Sequence, residues 1–216
     1  MSTSAWDQRA EAYRTSATHA EGVDLDLLVE FCEPATGKDA LDVATGGGHV
    51  ARRLREAGCR VTTCDSSPGM RPDVICRAED LPFADASFDA VANRFAAHHF
   101  TDIRAAVAEL ARVSRGPVVV VDMQYADEAV ERAELIRDPG HVKTYTEAEW
   151  REHFAAAGLA VAELRLVPRG YPLEDWLART GCVGDEAEAV RRELAHVTDA
   201  DGFWHGDVVV IKGMRR

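Results

Sequence analysis

The stretch Leu41-Asp-Val-Ala-Thr-Gly-Gly-Gly48 decides the fold of this chain. It begins as a short, mostly apolar strand and continues into a turn of three glycines, after which an amphipathic helical pattern starts. Glycines at such a turn let the backbone approach a ligand closely, and the helix that follows offers free N–H groups. The stretch therefore predicts a ligand site at the end of the strand.

A carboxylate follows the glycine turn at an informative distance. The next strand pattern ends at Asp65, about 20 residues on, where an acidic side chain can hold ribose hydroxyls. The turn lacks the Gly-x-Gly-x-x-Gly spacing that seats a pyrophosphate, and Asp42 within the strand would repel one. That acid suits the ammonium of a methionine moiety. The glycine turn and Asp65 together predict a nucleoside cofactor; the alternative is a structural turn that binds nothing.

Outward from this unit, strand and helix patterns alternate through residue 122, which predicts a parallel α/β sheet. The run Val118–Val121 is typical of a strand that is buried on both faces. Between the second and third strands, residues 66–73 contain two prolines and a glycine, which exclude a long helix. Seven strand patterns occur in all, at residues 39–44, 59–64, 74–76, 88–92, 117–122, 160–167 and 206–212.

The bulk composition excludes several classes of partner. The length of 216 residues fits one α/β domain with a full core. The 25 basic and 37 acidic residues give a net charge of −12, which repels nucleic acid. The apolar runs are strand-length and no secretory signal pattern is present, so we expect no membrane segment and a cytoplasmic location. The five cysteines show no Cys-x-x-Cys spacing, so we expect reduced thiols and no metal site.

The sequence resembles the class I S-adenosylmethionine methyltransferases, in the small-molecule branch of the ubiquinone and menaquinone methylases. The resemblance covers roughly residues 6 to 180 and rests on several motifs together. They are Asp42–His49, Cys64–Met70, Leu81–Asp89, Arg94–Phe100, Glu109–Val113, an N-terminal stretch Tyr13–Gly22, and Asp138–His141 with Glu149-Trp150.

The resemblance implies a Rossmann-like, doubly wound, mostly parallel seven-stranded sheet with helices on both faces and an N-terminal helical lid. We accordingly expect a single domain over residues 1–216. Its parts are a lid at 1–35, a cofactor-binding core at 36–122, and substrate-side helices with closing strands at 123–216. The implied cofactor is S-adenosylmethionine, with S-adenosylhomocysteine as its product.

The resemblance also implies roles for individual residues. Asp42 and the glycine turn would line the methionine end, Asp65 would hold the ribose, and Met70 would pack on the adenine. Arg94 would lie near the methionine carboxylate or the substrate mouth. The full set of expected cofactor-binding residues is Tyr13, His19, Asp42, Ala44, Thr45, Gly46, Gly48, Asp65, Ser66, Met70, Ala78, Glu79 and Arg94.

The chain departs from the family pattern at three places. Ala44 replaces the usual first glycine, the helix between the second and third strands is missing, and Arg77 stands where an aspartate usually accepts the adenine amino group. A guanidinium cannot accept a hydrogen bond. Losing that bond would cost about 1–3 kcal/mol of affinity. Glu79 and Asp80 are candidates to replace it.

Three histidines are candidates for a general base in methyl transfer to oxygen, nitrogen or carbon. His98 and His99 follow the fourth strand, where the carboxyl ends of the sheet form the ligand crevice, and His141 lies in a late motif. Plain packing is an equal alternative for the adjacent pair. We expect a small-molecule acceptor and a monomer or homodimer. Two other functions stay open: a cyclase or isomerase on the same fold, and a non-catalytic protein that has lost its cofactor.

Overall fold

One seven-stranded sheet runs through the computed structural model, which describes residues 3–215. Met1, Ser2 and Arg216, the outermost residues of the predicted domain, lie outside the described residues. The strand order is β3-β2-β1-β4-β5-β7-β6, with β7 antiparallel to both of its neighbours and every other pairing parallel. The predicted doubly wound, mostly parallel sheet is confirmed. The strands are β1 (Asp39–Val43), β2 (Arg60–Asp65), β3 (Val74–Ile75), β4 (Ala90–Arg94), β5 (Val118–Met123), β6 (Leu159–Pro172) and β7 (Phe203–Arg215).

Helices cover both faces of the sheet because its central strands are apolar on both sides. In β5, Val118 and Val120 pack in one core with α5 and α7, whereas Val119 and Val121 pack in the opposite core with α3 and α4. No helix between residues 3 and 215 is both long and apolar enough to cross a membrane. The helices are α1 (Thr3–Arg14), α2 (Ala17–Ala20), α3 (Val23–Phe31), α4 (His49–Glu56), α5 (Ile103–Val113), α6 (Glu128–Arg137), α7 (Glu147–Ala156), α8 (Leu173–Thr180) and α9 (Gly184–Glu193).

Some elements differ from the sequence prediction. The fourth strand begins and ends two residues later than the predicted 88–92, so Arg94 is its last residue. The strands β6 and β7 are longer than predicted because they pair antiparallel along nearly their whole length. Pro168 is tolerated within β6 because β6 is the edge strand. The helix α6 was missed; Asp127 caps it by accepting from the N–H groups of two residues in its first turn.

The segment between β2 and β3 holds no α-helix, as its prolines predicted. It forms a single 3-10 turn, Pro68–Met70, against which α1 packs. Asp7 of α1 accepts from Ser67 Oγ at 2.5 Å and from the Gly69 N–H at 2.7 Å, and Arg14 donates to the Gly69 carbonyl at 2.9 Å. The first helix therefore covers the segment where the family usually places a helix.

Gly213 of β7 allows α7 to pack closely on the sheet. A Cβ at this position would lie 2.6 Å from Cδ1 of Phe154. We expect Gly213→Ala to lower the free energy of unfolding by about 1–3 kcal/mol, because overpacking forces the buried ring to move. Urea denaturation measures the change. Adding Phe154→Leu should recover part of the loss in the double variant; an unchanged midpoint in Gly213→Ala would contradict this account.

Candidate active site

A cavity of about 360 Å³ opens at the carboxyl ends of β1, β2 and β4. The order of the sheet reverses between β1 and β4, which is where open α/β sheets bind their ligands. The volume lies in the range of small-molecule sites. Asp42, Asp65 and Arg94 line this cavity from three different strands. The carboxyl end of the sheet therefore brings two carboxylates and one guanidinium group to a single cavity.

The glycine turn forms the wall of the cavity nearest to α1. Ala44, Gly46 and Gly48 have φ angles of 54°, 52° and 79°, in the region that favours glycine. A Cβ on Gly47 would meet the Tyr13 carbonyl oxygen at 2.5 Å, so the turn approaches the backbone of α1 directly. Such close approach explains why glycine is needed there, while Ala44 keeps its strained conformation without one.

Asp42 accepts hydrogen bonds from the glycine turn and from the first turn of α4. Its Oδ2 accepts from Thr45 Oγ1 at 2.5 Å and from the Ala51 N–H at 3.1 Å, while Oδ1 has no hydrogen-bond partner among the described residues. Burial raises the pKa of the carboxyl to about 7, against the opposing effect of those two hydrogen bonds. Ionised Asp42 is therefore costly in the isolated protein, and a cation beside Oδ1 would offset that cost.

Asp65 connects the end of β2 to the turn. Its Oδ2 accepts from the Gly46 N–H at 3.0 Å and its Oδ1 from the Ser67 N–H at 2.9 Å. Burial raises its pKa despite these bonds. Each carboxylate oxygen keeps a further lone pair. The side chain is thus held in place with acceptor capacity to spare.

Arg94 enters the cavity as part of a buried ion cluster. Its Nε donates to Asp24 Oδ2 at 2.7 Å, and Arg169 Nη1 donates to Asp24 Oδ1 at 2.5 Å. Arg94 Nη1 donates to the His19 carbonyl, but its Nη2 is buried without a partner among the described residues. Both guanidinium groups also contact the ring of Phe95, whose φ is 53°. The cluster fixes Arg94 and leaves one donor unused.

The opposite end of the cavity is apolar with a charged rim. Met70 and Ala78 are buried and line it, and Glu79 lies beside them. Glu79 Oε1 accepts from Arg77 Nη2 at 3.1 Å and from the Thr101 N–H at 3.0 Å. The Arg77 side chain is 62% exposed. This arginine is thus held on the rim by the acid that follows it two residues later.

The structure brings nearly all of the expected cofactor-binding residues to this one cavity; Gly48 is the exception. Gly48 caps α4 with left-handed backbone and does not line the cavity, because Gly47 approaches it instead. The predicted residues that line it are Tyr13, His19, Asp42, Ala44, Thr45, Gly46, Asp65, Ser66, Met70, Ala78, Glu79 and Arg94. No site role was predicted for Asp24, Phe95, Asp122 or Arg179. Of these only Asp122, an acid at the end of an all-valine strand pattern, carried a readable signal.

His98 forms a buried dyad with Asp122. Its Nδ1 lies 2.5 Å from Asp122 Oδ1, and its backbone N–H donates to the other carboxylate oxygen at 2.9 Å. Burial lowers the pKa of His98, but the charge and hydrogen bond of Asp122 outweigh burial and raise it. The carboxylate holds the proton on Nδ1, so Nε2 of the neutral ring is an acceptor, and it has no hydrogen-bond partner among residues 3–215. This arrangement can act as a general base.

His99 is held in a different way. Its Nδ1 lies 3.0 Å from the Gly140 carbonyl, which can only accept, so Nδ1 carries the proton and Nε2 is a bare acceptor. Burial, then the neighbouring His98, lowers the pKa of His99 well below its ordinary value. His99 lines the cavity and contacts the ring of Trp6 edge to face. His141 does not line it, since its Nε2 lies 3.0 Å from Glu131 and its ring is buried behind His98.

The sheet order and the cavity at its carboxyl edge define the Rossmann-like class of α/β proteins. A family model described as a methyltransferase domain matches residues 41–121. The uncharacterized methyltransferase YcgJ of Bacillus subtilis is 32% identical, over 90% of this chain and 85% of that protein. The chain therefore belongs to the methyltransferase family.

Two further comparisons agree with this assignment. The crystal structure of the Bacillus subtilis YcgJ protein superposes with a TM-score of 0.78 and 26% identity, covering 89% of this chain and 98% of that one. A demethylmenaquinone methyltransferase of Renibacterium salmoninarum is 36% identical over 46% of this chain and 47% of that protein. The predicted fold and the resemblance to the menaquinone and ubiquinone branch are confirmed.

The Asp24 cluster predicts a large effect of a small substitution. We expect Asp24→Asn to lower the free energy of unfolding by about 3–5 kcal/mol, because two buried guanidinium groups lose their shared counter-charge. Asp26→Asn is the matched control on the same helix: Asp26 is 62% exposed and pairs with Arg53. Its loss should cost less than about 1 kcal/mol. Guanidinium denaturation compares them, and equal effects would contradict the buried-cluster account.

The dyad predicts opposite titration of adjacent histidines. The imidazole of His98 should titrate above its ordinary value and that of His99 well below it, followed by NMR of the ring C–H signals. The His98 pair stabilises the fold below the unfolded-state pKa and loses that contribution as pH rises through the raised folded-state pKa. Asp122→Asn should bring the His98 pKa below the ordinary value, since burial is the largest effect and the main opposing charge is then gone. A His98 titration unmoved by Asp122→Asn would refute the dyad.

Proposed function

We propose that this protein transfers a methyl group from S-adenosylmethionine to a small-molecule acceptor. The observation that carries the proposal is the convergence of Asp42, Asp65 and Arg94 on one cavity, each with unused hydrogen-bonding capacity. The match to a methyltransferase family model supports it.

The charged groups of the cavity fit the cofactor chemically. The orphan Nη2 of Arg94 suits a carboxylate, the unpartnered Oδ1 of Asp42 suits an ammonium, and the spare lone pairs of Asp65 suit ribose hydroxyls. Met70 and Ala78 offer the apolar contact that a flat base requires. Glu79 and Arg77 occupy each other, so the adenine amino group would find its acceptor in the second oxygen of Glu79 or in the backbone.

The cofactor supplies a methyl group that is already activated by its sulfonium. The protein's own task is therefore to position the two reacting groups and to exclude water. Orientation of that kind is worth roughly 7–11 kcal/mol of barrier. Trp6 and Tyr13 of α1 cover the cavity and limit access of water. His98, braced by Asp122, is our proposed base for an acceptor that must lose a proton, and His99 is the alternative.

Binding of S-adenosylhomocysteine tests the cofactor site. Ligand at ~100 times its dissociation constant should add about 2.7 kcal/mol to the free energy of unfolding, seen as a rise of the melting temperature. We expect Asp65→Ala to abolish the shift. No binding at millimolar ligand would sink the proposal and favour a protein that has lost its cofactor, whereas binding without methyl transfer to any acceptor would favour a cyclase or isomerase.

The pH dependence of binding tests the role of Asp42. Since its pKa is raised to about 7, ionisation destabilises the fold as pH rises toward that value, and a ligand ammonium offsets the cost. The affinity for S-adenosylhomocysteine should therefore rise about tenfold between pH 6 and pH 8, measured by calorimetric titration. Asp42→Asn should bind more weakly and lose the pH dependence. A slope that persists in Asp42→Asn would assign it to another group, such as Asp65.

A further inference from the structure

A second, smaller chamber lies behind the candidate cofactor cavity. Its volume is about 40 Å³, enough for a small polar group and too small for a whole acceptor. Tyr13, His19, Phe95 and His99 line both spaces and form the wall between them. The chamber therefore adjoins the place where the two substrates of a transfer reaction would meet.

The polar groups of this chamber with unused capacity are mainly donors. Arg179 lines it and forms no hydrogen bond or salt bridge with any residue between 3 and 215. The hydroxyl of Tyr171 is buried without a partner, and that of Tyr13 has none among the described residues either. His98 presents its Nε2. The dedicated acceptors are therefore ring nitrogens of His98 and His99, whereas the guanidinium of Arg179 supplies donors alone.

The charges around the chamber do not balance. Arg137 also lines it and pairs with Glu134 at 3.0 Å, and Arg94 and Arg169 share the single carboxylate of Asp24. Arg179 pairs with no carboxylate between residues 3 and 215. The four guanidinium groups thus contact two carboxylates among the described residues, and the third carboxylate nearby, Asp122, is hydrogen-bonded to His98. This excess of guanidinium groups occurs in a chain whose net charge is −12.

A partly buried guanidinium without a counter-charge is costly, and burial lowers the pKa of Arg179. The charges of Arg179, Arg94 and Arg169 also act, after burial, to lower the pKa of His19 at the wall of the chamber. An anion in the chamber would relieve both effects. A neutral ligand would relieve neither.

We propose that the acceptor carries an anionic group, a carboxylate or a phosphate, which the inner chamber binds through Arg179 with help from Arg137 and the hydroxyl of Tyr171. That the ligand is the methyl acceptor rests on the proposed function. The anion site itself is argued only from the residues that line the chamber. The anchored group places the rest of the acceptor toward the wall shared with the cofactor cavity, beside His98 and His99.

The test uses small anions and their neutral counterparts on the full chain. Acetate and benzoate are compared with acetamide and benzamide, and inorganic phosphate is a separate arm, all at constant ionic strength with sodium chloride. The readout is the saturable shift of the His98 ring signal in the NMR spectrum. We expect binding of at least one anion and none of the matched amides. Acetate or benzoate binding identifies a carboxylate acceptor, and phosphate binding identifies a phosphorylated one.

Matched variants locate the site. Arg179→Gln should weaken anion binding about tenfold or more, because a charged hydrogen bond is lost. Arg104→Gln, at an exposed arginine outside both cavities, should change nothing. Should Arg179→Gln fail to fold, Tyr171→Phe replaces it: its anion affinity should fall several-fold while its melting temperature holds or rises, since the lost hydroxyl was buried unpaired.

The outcomes separate the two proposals. S-adenosylhomocysteine is titrated into the same samples. Anion binding with no response to S-adenosylhomocysteine would refute the proposed cofactor and leave the anion site standing. S-adenosylhomocysteine binding with no saturable anion binding, with equal binding of the amides, or with full affinity in Arg179→Gln would overturn the anion site and leave the methyltransferase proposal standing.

Discussion

The buried carboxylate of Asp24 is the contact on which the cavity depends. It lies in α3, and it holds Arg94 at the end of β4 and Arg169 in the long edge strand β6. Three distant parts of the chain therefore meet at one charge. Breaking a buried pair leaves an uncompensated charge, which is far more costly than losing a pair on the surface. The same contact aims Arg94 into the cavity and holds Arg169 beside Phe95.

The buried charged groups of this molecule fall into two kinds, those that pair with one another and those that have an unpartnered atom. Where a carboxylate and a guanidinium satisfy each other, as in Arg137 with Glu134, the pair explains its own burial. Where a buried or half-buried polar atom has no partner, the fold has kept a costly group without a structural gain. Arg94 Nη2 and Arg179 are such groups, one on each side of the shared wall. Each of the two spaces is thus lined by an arginine with a donor that lacks a hydrogen-bond partner among the described residues.

The sequence predicted the sheet, and it predicted most residues that line the larger cavity, because both depend on local patterns. The valine run of β5, the glycine turn and the acid at Asp65 are contiguous signals whose spacing fixes their place at the edge of a parallel sheet. The inner chamber depends on long-range contacts instead. Arg179 lies in α8 and shares the chamber with residues of α1, β5 and β6 only after folding. Asp24 sits in an apolar helical stripe where nothing marks it as a counter-ion. A periodic pattern in the sequence does not predict contacts between residues that are so far apart in the chain.

Two of the three helices that the structure describes in the predicted lid region, α1 and α3, are tied to the rest of the fold through buried carboxylates. The helix α3 carries Asp24, whose ion pairs are buried. The helix α1 is held by Arg9, which pairs with the buried Asp138 at 3.3 Å, and by the buried side chain of Ala10. Polar contacts from Asp7, Arg14 and the Tyr13 carbonyl add about 0.5–1.5 kcal/mol each. The volume of the chamber is about 40 Å³, so the chamber would have to widen before the whole of the proposed acceptor could enter it. The helix α1 borders both spaces through Tyr13, so its displacement would widen the chamber and open the candidate cofactor cavity together.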